Sequence, residues 1–301
     1  MSDAMTKLRC VWDGAAELGE GVFWHAPEQA VYWVDIFRSN LHRLHTNGST
    51  QSWHFPGQIS AAVPCAGGGL LATFENGLSH LDLETTTATP LVTLESEQPD
   101  NRFNDGCSDT HGQFWFCSMD IKQQDPSGRF YCLDRSGEIH QLPSFGQISV
   151  TNGPAFSTDG QWVYFTDTLE KKVYRAELDD MGVPGNPELY IDFAKEDGFP
   201  DGMCTDTNGG LWICHFAGGR VTRFYDGKVD RCIEMPVPNI TKCAFGGANM
   251  STLYISTATT ALDDEQRKAY PLAGGLFAID LPFQGVSMGA VSRPTGAAER
   301  T

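Results

Sequence analysis

The stretch VYFTDTLEKKVYR, residues Val163–Arg175, contains the pattern that decides the fold. Val163-Tyr164-Phe165-Thr166 is rich in aromatic and β-branched residues, and Lys172-Val173-Tyr174-Arg175 follows after a short polar turn. Residues of these types favour strands, and a polar turn between two such runs is typical of a hairpin. The stretch therefore predicts two antiparallel strands.

The same pair of runs recurs six times along the chain. The first runs are Val31–Val34, Leu70–Thr73, Phe114–Cys117, Val163–Thr166, Leu211–Cys214 and Leu253–Ser256, and the second runs are Asn40–Leu44, Leu78–Asp82, Arg129–Asp134, Lys172–Arg175, Arg220–Phe224 and Gly275–Asp280. Matching positions lie 38, 44, 49, 48 and 42 residues apart. A strand–turn–strand unit repeated every ~40–50 residues is typical of a β-propeller, whose blades bury their faces by packing radially.

The sequence therefore predicts an all-β fold, a six-bladed β-propeller forming a single domain over residues 1–301, with repeats spanning about 18–281. The repeat crosses the midpoint of the chain without interruption, which argues against two domains. Residues Lys7–Trp12 precede the first repeat. We expect this segment to supply the outer strand of the last blade and so to close the ring.

Composition excludes several classes of protein. With 41% hydrophobic and 20% charged residues, the chain has the balance of a globular protein and not of a disordered one. A net charge of −17 argues against nucleic acid as a partner. No apolar run approaches the ~18 residues that predict a membrane span, and the first ten residues lack the apolar stretch of a secretory signal. We expect a soluble, cytoplasmic protein that is a monomer or a weak homo-oligomer.

The nine cysteines include no CxxC pair, and their number is odd. Zinc sites of the finger type need closely paired cysteines, so a site of that kind is not predicted. Several cysteines lie inside apolar runs, such as Leu211-Trp212-Ile213-Cys214. We expect reduced thiols that serve in packing.

A polar residue followed by glycine precedes four of the strand pairs. These pairs are Glu20-Gly21, Asp105-Gly106, Asn152-Gly153 and Asp201-Gly202, and they lie 13, 10, 12 and 11 residues before the matching strand position. In a propeller this segment is the innermost strand, so the four side chains converge on one mouth of the axial channel. Converging oxygen ligands suit a hard divalent cation such as Ca²⁺, Mg²⁺ or Mn²⁺. Asx-Gly pairs also form ordinary turns, which is the alternative for each pair taken singly.

These motifs resemble those of a known family. Asn101-Arg102-Phe103-Asn104-Asp105-Gly106, with Leu18–Gly21, Thr151–Gly153 and Pro200–Met203, is similar to the regucalcin/gluconolactonase (senescence-marker-protein) family, sugar lactonase branch. Cys243-Ala244-Phe245-Gly246-Gly247 fits the last blade of that family, and the resemblance runs from about Leu18 to Asp280.

The resemblance implies a six-bladed propeller that hydrolyses a sugar lactone, its small-molecule partner, with one divalent metal ion (Ca, Zn, Mn, Mg or Fe) in the axial mouth. It implies that Glu20, Asn152 and Asp201 are the metal ligands and that Asp201 is also the catalytic acid/base. Arg102 and Asn104 are implied to bind the substrate. Asp105 is then a supporting residue and not a fourth equal ligand.

Lys122 marks a departure from the family pattern. Where the regucalcin branch has a glutamate lining the substrate pocket, this chain has Lys122, in Met119-Asp120-Ile121-Lys122. Lys122 is thus a candidate for the pocket wall and for substrate binding, while a solvated loop lysine is equally compatible with the sequence. The identity of the sugar does not carry over from the family.

Three functions are compatible with these residues. The first is metal-dependent hydrolysis of an aldonolactone to the aldonic acid, in which the cation polarises the lactone carbonyl and Asp201 transfers the proton. The second is a related esterase or phosphotriesterase. The third is a calcium-binding regulatory propeller without enzymatic activity, since a fold alone does not determine function. Arg102 beside the ligand set favours the first.

Overall fold

A computed structural model of the protein describes residues 7–294, in which 24 strands form six four-stranded antiparallel sheets. In each sheet, the strand that comes first in the repeat packs beside the corresponding strands of the two neighbouring sheets. These six innermost strands surround a common channel. This arrangement confirms the predicted six-bladed β-propeller. All six predicted strand pairs form the second and third strands of a blade.

The blades follow one another in chain order. Blade 1 contains β2 (Gly19–His25), β3 (Ala30–Asp35), β4 (Asn40–His45) and β5 (Thr50–His54); blade 2 contains β6 (Ala61–Pro64), β7 (Leu70–Phe74), β8 (Gly77–Asp82) and β9 (Thr87–Thr93); blade 3 contains β10 (Asn101–Ser108), β11 (Phe114–Asp120), β12 (Phe130–Leu133) and β13 (Ile139–Gln141). Blade 4 contains β14 (Thr151–Phe156), β15 (Trp162–Asp167), β16 (Lys172–Glu177) and β17 (Glu188–Asp192); blade 5 contains β18 (Phe199–Thr205), β19 (Leu211–Phe216), β20 (Arg220–Tyr225) and β21 (Lys228–Glu234).

Blade 6 closes the ring with the start of the chain. It contains β22 (Ile240–Gly246), β23 (Thr252–Thr257), β24 (Leu276–Asp280) and, as its outer strand, β1 (Arg9–Trp12). Arg9 Nη1 lies 3.0 Å from Asp280 Oδ2 across this pairing. The predicted closure by the N-terminal segment is confirmed. The predicted single domain of residues 1–301 includes 1–6 and 295–301, which lie outside the described residues.

Aromatic residues of the repeats pack between neighbouring blades. Trp33, Trp115 and Trp212 occupy matching positions on the second strands and are almost completely buried. Between blades 3 and 4, the ring of Phe165 lies 4.8 Å from that of Phe130 and 4.3 Å from that of Phe145. The core therefore lies between sheets, and it holds the innermost strands in a fixed relation to one another.

One helix interrupts the connection between β23 and β24. This helix, α1 (Asp264–Ala269), is capped by Asp263, whose side chain accepts hydrogen bonds from the backbone N–H groups of Glu265 and Gln266. It has six residues and no buried face, so no apolar period marks it in the sequence. No helix within residues 7–294 has the length and apolar character needed to cross a membrane.

Candidate metal and active site

Bulges interrupt five of the six innermost strands at the level of the polar residues. The register with the second strand shifts between Glu20 and Phe23, Phe103 and Asp105, Asn152 and Ala155, Pro200 and Met203, and Ile240 and Cys243. A bulge bends a strand and re-aims a side chain, and bulges are common beside active sites. The propeller thus presents polar side chains from several blades to one level of the channel.

The glycines of the polar-Gly pairs make these bulges possible. Gly21 and Gly153 have φ angles of +56° and +84°, in the left-handed region that disfavours residues with a Cβ atom. The Gly21 N–H also donates a hydrogen bond to Glu20 Oε2 at 3.1 Å, and the Gly202 N–H donates to Asp201 Oδ1 at 3.0 Å. Gly21 therefore both permits a bulge and orients the preceding carboxylate, whereas Gly153 permits a bulge and Gly202 orients the carboxylate of Asp201.

Glu20 and Asp201 are buried carboxylates from blades 1 and 5. Burial raises the pKa of Glu20 to about 8, and the charge of Asp105 adds to this effect. Burial and the charge of Glu20 likewise raise the pKa of Asp201 well above its ordinary value. The positive charge of Lys242 offsets these shifts only in part. The two carboxylates therefore repel each other in a place where water screens their charges poorly.

Asn152 of blade 4 is held by a chain of hydrogen bonds that joins three blades. Its Oδ1 accepts from Asn104 Nδ2 at 3.1 Å, and its Nδ2 donates to Thr168 Oγ1 at 3.0 Å. Thr168 Oγ1 in turn donates to the carbonyl of Pro200, the residue before Asp201, at 2.9 Å. The chain sets the orientation of the Asn152 amide, and one lone pair of Oδ1 remains available for a ligand.

Asn104 mainly positions its neighbours. Its Nδ2 donates to the Thr151 carbonyl at 2.7 Å in addition to Asn152, and its Oδ1 accepts from Arg102 Nη1 at 2.8 Å. Both amide hydrogens of Asn104 are thus used within the protein. Its remaining capacity for a substrate is one lone pair on Oδ1.

Arg102 is buried, and its guanidinium interacts electrostatically with the carboxylates of Glu20 and Asp201. Nη1 donates to the carbonyl of Phe103 and to Asn104, whereas Nε and Nη2 have no hydrogen-bond partner within residues 7–294. Burial lowers the pKa of Arg102 to about 10, while the charges of Glu20 and Asp201 act in the opposite direction. The exposed ring of Phe37 lies 5.8 Å from the guanidinium carbon. Arg102 therefore remains a cation with free donors beside the carboxylates.

Lys242 of blade 6 is a site residue that the sequence patterns did not identify. Its Nζ forms a buried ion pair with Asp105. Asp105 also accepts from the N–H groups of Gly106 at 2.7 Å and Gly153 at 3.1 Å, so both of its oxygens are occupied. Burial opposes the charged form of Lys242, yet Asp105 raises its pKa. The side chain of Asp105 is thus fixed by three donors of the protein itself.

A spacing signal for Lys242 does exist in the sequence. Lys242 lies 12 residues before Tyr254, the matching strand position of the sixth repeat, within the range of 10 to 13 found for the polar-Gly pairs. It carries no following glycine, and an ammonium group is not a metal ligand. The pattern of an oxygen ligand followed by glycine therefore does not include Lys242.

Lys122 lies apart from this cluster. It follows β11 in an exposed loop at the same end of blade 3 as Arg102, and its Nζ forms an ion pair with Asp100 at 3.0 Å. Its backbone N–H donates to Asp120 Oδ1. The structure thus places Lys122 at the rim, in contact with acidic loop residues.

The donor set fits a divalent cation. Glu20, Asp201 and Asn152 offer two carboxylates and one amide oxygen, which are the ligands that hard cations prefer. Burial, the larger cause, and nearby negative charge raise the pKa of both carboxyl groups, so their anionic forms need more positive charge than Lys242 provides. A divalent cation between them would supply it.

A second group of possible ligand atoms lies on the outer edge of blade 3. Asp134, Glu138 and His140 have ligand atoms within 4.8 Å of one another. Asp134 Oδ1 accepts hydrogen bonds from the backbone of Ser136 and Glu138, and His140 is exposed. These hydrogen bonds stabilise the turn that follows Asp134, which explains why the three side chains lie close together.

The sequence model of one protein family, described as the SMP-30/gluconolactonase/LRE-like region, matches residues 18–259 of this chain. The chain belongs to this family. It is 34% identical over 274 residues to 6-deoxy-6-sulfogluconolactonase of Pseudomonas putida, covering 90% of this chain and 94% of the relative. It is 31% identical over 277 residues to a putative sugar lactone lactonase of Bacillus subtilis, covering 91% and 94%.

Among solved structures, the chain is similar to a calcium-binding protein, regucalcin, from Agrobacterium tumefaciens. The TM-score is 0.90 at 30% identity, with 95% of this chain and 97% of the other covered. Membership of the family and the lactonase relatives support a hydrolase of the lactonase type.

Proposed function

We propose that the protein hydrolyses a sugar lactone to the aldonic acid, with one divalent cation held by Glu20, Asn152 and Asp201. Two features support this proposal. The buried carboxylates of Glu20 and Asp201 interact electrostatically, and hydrogen bonds link the Asn152 amide through Thr168 to the residue before Asp201. The buried Arg102, whose charge interacts with both carboxylates, has unused donors. Neither feature alone distinguishes catalysis from ion storage. Together they provide a place for both a cation and a polar substrate.

Asp201 is the proposed acid/base. Its Oδ1 accepts the Gly202 N–H, while Oδ2 has no hydrogen-bond partner within residues 7–294. Oδ2 can therefore accept a proton from the attacking water and return it to the ring oxygen that leaves as a hydroxyl. A divalent cation bound here would polarise the lactone carbonyl and lower the pKa of a nearby water.

Arg102 is the proposed substrate-binding residue. Its free Nε and Nη2 hydrogens can bind sugar hydroxyls or the negative charge that develops on the carbonyl oxygen. Asn104 supports Arg102 and Asn152 and offers one lone pair to a hydroxyl. We assign Lys122 a rim position, where it can meet only the part of a substrate that projects from the channel.

A calcium-binding regulatory role is the second candidate, and the similarity to regucalcin favours it. Such a role needs the three oxygen donors and has no use for the free donors of Arg102. A related esterase or phosphotriesterase is a third candidate, which would use the same cation on a different substrate.

Substrate profiling tests the proposal. Acid release should be measured with five- and six-carbon aldonolactones, an unsubstituted aliphatic lactone, an aryl ester and a phosphotriester, each with Ca²⁺, Zn²⁺, Mn²⁺, Mg²⁺ or Fe²⁺ added to metal-stripped protein. We expect the highest kcat/KM with an aldonolactone, and we expect Arg102→Ala to reduce this preference over the aliphatic lactone. Tight cation binding with no turnover of any substrate would favour the regulatory role.

A further inference from the structure

A cavity lies on the axial channel beyond the carboxylates of Glu20 and Asp201, towards the ends of the innermost strands. It is lined by the C-terminal halves of the innermost strands and by Lys242, and residues 286–288 border it. It holds about 90 Å³ of space that the centres of water-sized molecules can occupy. A single water needs only ~10–15 Å³, so the cavity admits several waters or a small peroxide. The proposed hydrolysis gives this cavity no role.

Three cysteines line this cavity, and two of them face each other. Cys204 on β18 and Cys243 on β22 have their sulfur atoms 3.5 Å apart, across the boundary between blades 5 and 6. Cys204 is partly exposed, while Cys243 is buried. The third, Cys107, donates its thiol to the Pro154 carbonyl at 3.0 Å and has no sulfur neighbour of this kind. All nine cysteines are free thiols.

We propose that Cys204 and Cys243 are a redox-active dithiol that a peroxide entering this cavity converts into a disulfide between blades 5 and 6. The Cys243 thiolate attacks one peroxide oxygen and becomes a sulfenic acid, and the other oxygen leaves as water or an alcohol after taking up a proton. The thiol of Cys204 then attacks the sulfenic sulfur, forms the S–S bond and expels water. Two thiols are thereby oxidised, and one peroxide is reduced by two electrons.

The geometry permits this step with small movements. A disulfide bond is about 2.05 Å long, so the two sulfur atoms must approach by about 1.5 Å. The two cysteines lie on neighbouring innermost strands that already pack against each other. The surroundings also favour a thiolate at Cys243: burial raises its pKa, but hydrogen bonds with Cys204 and Cys214 and the charge of Lys242 lower its pKa by more.

Peptide mapping after oxidation tests the proposal. The intact chain with Cys232→Ser, which removes the exposed cysteine, should be treated with hydrogen peroxide, alkylated and digested with trypsin without reductant. Trypsin yields peptide 196–220 with Cys204 and Cys214, and peptide 243–267 with Cys243. We expect these two peptides to be linked and two hydrogen atoms lighter than their sum, and dithiothreitol should separate them.

Matched variants assign the partner. Cys204→Ser should abolish the link, whereas Cys214→Ser and Cys107→Ser should retain it. Fragment spectra of the linked peptides from the Cys232→Ser protein assign the same bond without further substitution, which covers the case of a variant that does not fold. A link through Cys214, or peroxide-treated protein in which Cys204 and Cys243 stay unlinked, would overturn the proposal. None of these results depends on the proposed hydrolysis.

Discussion

Replacing Lys242 by methionine tests whether the buried ion pair supports the site. Methionine keeps much of the length of the side chain but leaves the Asp105 carboxylate, which is 1% exposed, without its cation. Breaking a buried pair in this way costs about 3–5 kcal/mol. Because the N–H groups of Gly106 and Gly153 still bind the carboxylate, we expect about 3 kcal/mol, the lower end of that range.

Urea unfolding of metal-free protein measures this loss. Lys122→Met is the matched control, since Lys122 is exposed, and it should leave the unfolding midpoint unchanged. The double variant Lys242→Met/Asp105→Asn should lose less stability than the sum of the two single changes, with a coupling energy of about 2 kcal/mol. A loss below about 0.5 kcal/mol for Lys242→Met, the range of ordinary surface substitutions, would refute the assigned role.

Three further variants separate ligand, substrate and backbone roles. Asp201→Asn keeps an oxygen for the cation but cannot accept a proton, so kcat should fall by ~10²–10⁴-fold at saturating metal; wild-type kcat would make Asp201 a ligand only. Arg102→Ala should lower kcat/KM while the metal affinity measured by calorimetry stays within about threefold, since Arg102 is not a ligand; lost metal binding would contradict this. Gly21→Ala should lower the free energy of unfolding by more than the ~1–2 kcal/mol expected for a left-handed residue, because the new Cβ would lie 3.1 Å from the Ser60 carbonyl oxygen. Gly48→Ala is the control: its φ is +85° and its surroundings are open, so it should lose only the conformational part.

The sequence predicts the propeller well because each blade is a local unit. Strand pairs such as Val163–Thr166 and Lys172–Arg175 lie a few residues apart, so runs of aromatic and β-branched residues separated by a turn are sufficient to identify them. Closure by Arg9–Trp12 followed from the need to complete the last sheet. The helix at Asp264–Ala269 was not expected, because only its cap at Asp263 signals it.

The site was less accessible to sequence reasoning because its contacts join distant blades. Similar spacing predicted that Asn152 and Asp201 approach one level of the channel. It could not predict that Asn104 donates both amide hydrogens to Thr151 and Asn152, since these hydrogen bonds depend on side-chain orientation. The pairing of Lys242 with Asp105 joins residues 137 positions apart, and no local pattern encodes it.

Metal titration of the stripped protein tests the central proposal most directly. Metal content and aldonolactone turnover should be measured on the same samples as the cation is added, with Glu20→Gln as the variant that removes one anionic ligand. We predict that activity rises in proportion to bound metal and saturates at one ion per chain, and that Glu20→Gln needs more metal to reach its plateau. Full turnover by protein shown to contain no metal would contradict the account.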